Sequence, residues 1–359
     1  NFTWRWIFYI NIPVGLFAAA MCTLFIFDPA YLRQGMAKAR TIDYWGLLLL
    51  TASMGSLQVV LDKGQQEDWF NSSFIITFSI VTLVSLLALL WVELTHPHPI
   101  VNLRLFKSIS YSAGNLVMFV VGFCLYSSIM LIPLFLQTLM GYSATDAGMV
   151  MAPGGVATLI TMPFVGAMLQ KRDGRKIVLV GLIIGASAMY LMHQLDLQAS
   201  YWAFVWPRIV LGIGLAMIFV PLTTVTLTGI ERTEMGNATG IFNLLRNIGG
   251  SVGIAIAATL LARFSQFYQT NLAAHVTPYN PLFQQRFSEL KQALIAKGMS
   301  VPQAEQTALG KLYGLIHQQA AALAYNRIFF IIGLAFLAII PFLLLLKRPK
   351  HQAGPMELH

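Results

Sequence analysis

Residues 74–94 read FIITFSIVTLVSLLALLWVEL, with one ionisable side chain, Glu93, at the next-to-last position. At about 1.5 Å of helical rise per residue, a run of this length crosses a hydrocarbon core roughly 30 Å thick. Backbone N–H and C=O groups in lipid must be satisfied internally, which leaves helices and closed barrels. A barrel strand alternates apolar and polar residues over a shorter stretch, so this run is a membrane helix.

Working outward, comparable runs lie near 6–27, 43–61, 111–139, 148–169, 177–194, 203–228, 238–262 and 328–346. Apolar residues make up 57% of the 359, charged residues 10%, and the mean hydropathy is +0.68. This balance is far from that of a soluble domain. The sequence predicts an all-α polytopic membrane helix bundle with nine transmembrane helices. The net charge of +9 does not point to nucleic acid, because the cations sit in short clusters between apolar runs. Cys22 and Cys124 each fall inside an apolar run, which argues against a disulfide framework or a metal site.

The loop cations set an orientation. Arg33, Lys38 and Arg40, then Arg104 and Lys107, then Lys171, Arg172, Arg175 and Lys176, then Arg232, and finally Lys347, Arg348 and Lys350 fall in alternate loops. The intervening short loops carry Asp62, Lys63, Glu67, Asp68, Asp146 and Asp196. Residue 1 is therefore expected outside the cytoplasm and the C-terminus inside. The long outer connection, 263–327, repeats apolar residues at helical spacing: Phe283, Phe287, Leu290 and Leu294, then Leu309, Leu312, Tyr313, Ile316 and Leu323. Ser300 with Pro302 marks a helix start between them. Two amphipathic outer helices follow, the second leading into the last span, and they either cover the bundle's rim or dock a partner.

Polar residues inside spans are the candidates for function, because an ionisable group at the bilayer centre costs at least about 2.5–3.5 kcal/mol on insertion scales. In GIFNLLRNIGG, Asn243, Arg246, Asn247 and Gly250 share one helix face. They either line a substrate cavity or pair within the bundle. Gly249, Gly250 and Gly253 are expected to permit close helix packing. A second stripe, Asn115, Gly122, Tyr126, Pro133 and Gln137, lies on a helix that Pro133 is expected to bend. TMPFVGAM, FVPLTTVTLTG and the APGG at 152–155 place Pro, Gly and Thr within spans, with Thr hydroxyls expected to bond the carbonyls that proline frees. No carboxylate falls at mid-depth in any run, and His96 and His98 flank Pro97 in a cytoplasmic loop. No Walker A, HExxH, CxxC or GxSxG pattern supports an enzyme, and none implies a cofactor or metal.

WRWIFYINIPVG, TIDYWG, PIVNLRLF, GYSATDAG and PLTTVTLTGIERTEMGNATGIFNLLRNIGGSVG together resemble the EmrB/QacA-type drug:proton antiporters, the fourteen-span branch of the major facilitator superfamily. The resemblance implies that 1–27 is the last span of an N-terminal bundle. It makes 28–109 an inter-bundle linker with two extra spans, 110–346 a C-terminal six-helix bundle including outer loop 263–327, and 347–359 a cytoplasmic tail. On this reading the opening NFTWRWIFYINIPVG, with Trp4, Arg5 and Trp6 at the outer interface, is the outer end of a sixth span, and five earlier spans are absent. Proton-coupling carboxylates are expected in those spans. The resemblance further implies export of hydrophobic or amphipathic compounds across the bacterial inner membrane by alternating access, powered by the proton gradient. Some members work with a periplasmic adaptor and an outer-membrane channel. GAMLQKRDGRK resembles the family's cytoplasmic loop motif at Arg172, Asp173, Gly174, Arg175 and Lys176, with Gln170 in place of an Asp. Two alternatives stay open: an exporter of another small molecule, such as an amino acid or siderophore, and a non-transporting scaffold or sensor.

Overall fold

The computed structural model describes Tyr9 and residues 11–25, 43–95, 100–277 and 279–347. Outside the described residues lie Trp4, Arg5 and Trp6, the loop cations Arg33, Lys38 and Arg40, His96 and His98, and Arg348 and Lys350 with the rest of the tail. Within them there is no strand. Ten α-helices occur: α1 (Asn11–Phe25), α2 (Tyr44–Lys63), α3 (Ser73–Thr95), α4 (Ile109–Thr138), α5 (Ala144–Lys171), α6 (Gly174–His193), α7 (Tyr201–Leu227), α8 (Met235–Ala274), α9 (Pro281–Ala296) and α10 (Val301–Ala338). Eight of these are long and apolar enough to cross a membrane, while α1 is a shorter apolar helix of 15 residues. The first compact unit, residues 1–44, holds α1, which buries none of its side chains.

In the second unit, local chemistry starts the helices where the sequence asks for them. Ser143 caps α5 and forms a reciprocal box with Asp146, the Ser-Ala-Thr-Asp of GYSATDAG. Ser108 accepts from the Tyr111 N–H at the start of α4. Asp173 caps α6, and Asn280 with Pro281 opens α9. Helix α10 starts at Val301 after Ser300, as the Ser-x-Pro signal predicts.

Six helices form the bundle. Helix α7 packs against α5 and α6, α6 against α10, α10 against α8, and α8 against α4, which also meets α5 and α7. Lipid tails are as apolar as leucine, so side-chain burial gives little drive to association and close packing must supply it. The α4–α8 contact does so with backbone: a Cβ added at Gly249 would overlap the Phe119 carbonyl, and one at Gly122 would overlap the Arg246 carbonyl. A Cβ at Gly250 would lie 2.5 Å from the Tyr126 ring. The packing role expected of the GG-x-x-G run is therefore observed.

Helix α4 spans Ile109–Thr138 with Pro133 inside it. Two features depart from the sequence reading. Helix α8 runs on to Ala274, past the end of its apolar run, so residues 263–274 are helix and not loop. The threonine hydroxyls do not serve the carbonyls freed by Pro153, Pro163, Pro207 and Pro221, which are those four residues upstream of each proline. Instead Thr158, Thr161, Thr223 and Thr224 donate to Gly154, Ala157, Phe219 and Val220.

Helices α9 and α10 form a helical hairpin. Leu294 of α9 packs on Ala304 and Ala308 of α10 with Phe287 and Leu290 beside them, and Lys291 bridges to Glu305 at 3.2 Å. Further along, α10 fastens two loops: Gln318 donates to the Leu139 carbonyl at 2.8 Å and Asn326 to that of Leu195 at 2.9 Å.

Candidate functional site

Four helices line an open cavity of about 630 Å³. Helix α4 contributes Met118 and α5 contributes Thr158 and Met162. From α7 come Phe219, Val220, Thr223 and Thr224, two pairs spaced four apart and so stacked on one face. Thr239, Phe242, Asn243 and Arg246 of α8 complete the lining. The walls are mostly apolar, with a few polar groups to orient a guest, which is the make-up of a small-molecule site.

The polar groups divide into spent and available. Each threonine hydroxyl already donates to a carbonyl: Thr158 to Gly154 at 2.9 Å and Gly212 at 3.0 Å, Thr223 to Phe219 at 2.8 Å, Thr224 to Val220 at 3.0 Å, and Thr239 to Met235 at 2.8 Å. Asn243 gives an amide hydrogen to Thr239 at 3.0 Å. These groups offer a guest mainly acceptor oxygens. Arg246 differs, because its buried Nε has no hydrogen-bond partner among the described residues. No acidic residue lines the cavity. The site is an apolar chamber with one uncommitted cation.

Of the residues picked out from the sequence, Asn243 and Arg246 meet in this cavity. Asn247 is exposed on another side of α8. Asn115 is buried on α4, donating to the Tyr111 carbonyl at 2.9 Å, and is not part of the lining. Tyr126 packs on Gly250 and Gln137 is exposed, and neither is part of this lining. Arg208 escaped the sequence reading. It sits inside α7 with 7% exposure, and its Nε and Nη1 have no partner among the described residues. The signal was present in WPRIVLG, a cation within an apolar run.

The cytoplasmic loop motif forms a compact knot. Asp173 accepts from the Arg175 N–H and pairs with its guanidinium at 3.0 Å, while Arg175 Nη1 donates to the Leu346 carbonyl at 2.9 Å. Gly174 is buried where a Cβ would press on Val225, and Arg172 and Lys176 are exposed. The Lys347 N–H donates to Ser110 at 2.9 Å. The ends of α4, α6 and the last span are thus tied together. Among the described residues no group of His, Cys, Asp or Glu is placed to hold a metal ion.

Residues 1–254 match the model of the Major Facilitator Superfamily. The chain belongs to that superfamily. It is 34% identical to the fatty acid resistance protein FarB of Neisseria gonorrhoeae over 356 residues, 99% of this chain and 68% of FarB. It is 33% identical to the multidrug export protein EmrB of Escherichia coli K12 over 355 residues, 99% of this chain and 67% of EmrB. The colistin resistance protein EmrB of Acinetobacter baumannii is 29% identical over 342 residues, 95% of this chain and 65% of that protein. These relatives bear out the EmrB-type likeness read from the motifs, and this major facilitator protein is a multi-pass membrane protein of that type.

Proposed function

We propose that the protein is a multidrug efflux permease that exports hydrophobic or amphipathic compounds across the inner membrane by alternating access, coupled to inward proton flow. The observation that carries this reading is the 630 Å³ cavity lined by methionine, phenylalanine, threonine, Asn243 and Arg246. Apolar walls accept many shapes, and the methionines repack around each. The guanidinium of Arg246 suits the carboxylate of an amphipathic acid, in keeping with a relative named for fatty acid resistance. The protein acts as a transporter and not as an enzyme, with the proton gradient as its energy source and no cofactor.

The C-terminus is cytoplasmic on this reading, because the Lys171–Lys176 cluster and Lys347 lie on the same side. The Asp173–Arg175–Leu346 knot locks the inner ends of the bundle helices. A periplasmic adaptor leading to an outer-membrane channel is the proposed partner of the α9–α10 hairpin. A groove of about 720 Å³ there, lined by Phe283, Phe287, Leu309, Leu312 and Ile316, supports this role.

Dye accumulation in a bacterial host stripped of its own pumps tests the function. Cells making the protein are expected to hold less ethidium and to tolerate more long-chain carboxylic acid than control cells, and an uncoupler should abolish both effects. Equal accumulation with and without the protein would refute export.

A further inference from the structure

Between α3 and α4 the chain passes along the cytoplasmic end of α8 as a short strap, and the Asn237 side chain grips it. Its Oδ1 accepts from the Asn102 N–H at 3.0 Å and its Nδ2 donates to the Ile100 carbonyl at 2.7 Å. One amide thus bonds alternate residues of the strap, much as a neighbouring strand would. Val101, the residue between, turns its N–H to Glu93 at the end of α3, at 3.1 Å. Asn102 adds a bond from its own amide to Glu234 at 3.1 Å. Helix α8 starts without a side-chain cap, and Glu231, Arg232 and Thr233 before it are exposed, so its first turn is held by the strap together with Tyr111 of α4, whose hydroxyl donates to the Ala238 carbonyl at 2.9 Å.

A second tie reaches α8 from α2. Ser251 of α8 donates to Gln58 of α2 at 2.6 Å, and Gln58 in turn bonds Asp62 on its own helix. Positions 237 and 251 are about four helical turns apart. Between them lie Thr239, Asn243 and Arg246, the polar cavity residues of α8.

We infer that the two extra spans, α2 and α3, act as a splint on α8: Gln58 of α2 bonds Ser251, and the strap that Glu93 of α3 holds through the Val101 N–H bonds Asn237, so that together they fix the rotation and depth at which Asn243 and Arg246 face the cavity. Asn102, Asn237, Gln58 and Ser251 are positioning residues, acting on the cargo only through α8. The inference rests on the cavity being the transport site. It gives the extra pair a task beyond joining two bundles.

The test uses the full protein in membrane vesicles. A cysteine at Asn243→Cys, with Cys22 and Cys124 replaced by serine, reports whether that position faces the cavity through its rate of maleimide labelling. In a separate series with Asn243 intact, ethidium uptake into inverted vesicles reports KM and maximal rate. Asn237→Ala and Ser251→Ala are each expected to change labelling about fivefold and to raise KM by a similar factor with the maximal rate nearly kept. Ser251→Thr and Glu234→Gln, which retain the hydroxyl donor and the carbonyl acceptor, should behave as the parent. Gln58→Leu breaks the second tie and the Gln58–Asp62 bond within α2, both remote from the strap, and should reproduce Ser251→Ala. Unchanged labelling and KM in these variants, with ethidium still transported, would overturn the splint and leave the transport reading standing. Altered labelling in a protein that never moves ethidium would support the splint and count against the cavity as an ethidium path.

Discussion

Two arginines lie within the spans with buried atoms that have no hydrogen-bond partner among the described residues, and their surroundings separate them. Arg246 faces the cavity with an uncommitted Nε, so Arg246→Ala should leave insertion intact and lower export kcat/KM about tenfold or more, checked by efflux at matched expression. Arg208 is buried, with its Nε and Nη1 lacking a partner among the described residues. A buried charge lacking compensation is destabilising, and replacing it by an apolar group of similar volume gains stability of about 1–4 kcal/mol in favourable cases. Arg208→Met is therefore expected to raise the thermal midpoint of the purified protein. If it also lowers export, stability has been sacrificed for function at that position; a lower midpoint would show that Arg208 is satisfied in the folded protein. The sequence disclosed Arg246 through the polar stripe around it. Arg208 has no polar neighbours at helical spacing, so the sequence marks it only as a lone cation in an apolar run.

Among the elements, α8 holds the most information and was the hardest to read. Its glycines and polar stripe were legible because period and residue size are sequence properties. Which way each polar residue faces was not. Asn243, Arg246, Asn247 and Gly250 share a face on an ideal helix, yet α4 covers Gly250, the cavity takes Asn243 and Arg246, and Asn247 falls beyond both. The division depends on the α4–α8 crossing, which long-range packing sets. Two substitutions on this helix should act in opposite directions. Gly249→Ala drives a methyl into the Phe119 carbonyl and should cost about 1–3 kcal/mol, seen as a lower thermal midpoint. Gly240→Ala meets nothing within 4 Å and should gain about 0.5–1 kcal/mol from helix propensity. The length of α8 past residue 262 escaped the hydropathy reading because Arg263, Gln266, Gln269 and Thr270 are polar. They lie on the last turns of the helix, where Gln269 bonds Tyr313 of α10 at 2.9 Å.

For the molecule as a whole, fold class and family were legible from hydropathy and short motifs, because lipid permits few architectures. The cavity was not, since its lining comes from four separated helices and includes Met118, Thr158 and Thr239, which look ordinary in sequence. The outer hairpin supplies a test at this scale. Deleting residues 281–300 should spare insertion and dye binding but weaken co-purification of an adaptor, and undiminished co-purification would remove the hairpin from docking. The central claim is that cargo crossing this cavity is exchanged for protons. Inverted vesicles holding an acid interior and a quenched pH probe measure it directly. Adding ethidium or a long-chain carboxylic acid should release protons and restore fluorescence with the unaltered protein, and do so far less with Arg246→Ala; no cargo-dependent recovery, or the same recovery in both, would contradict the account.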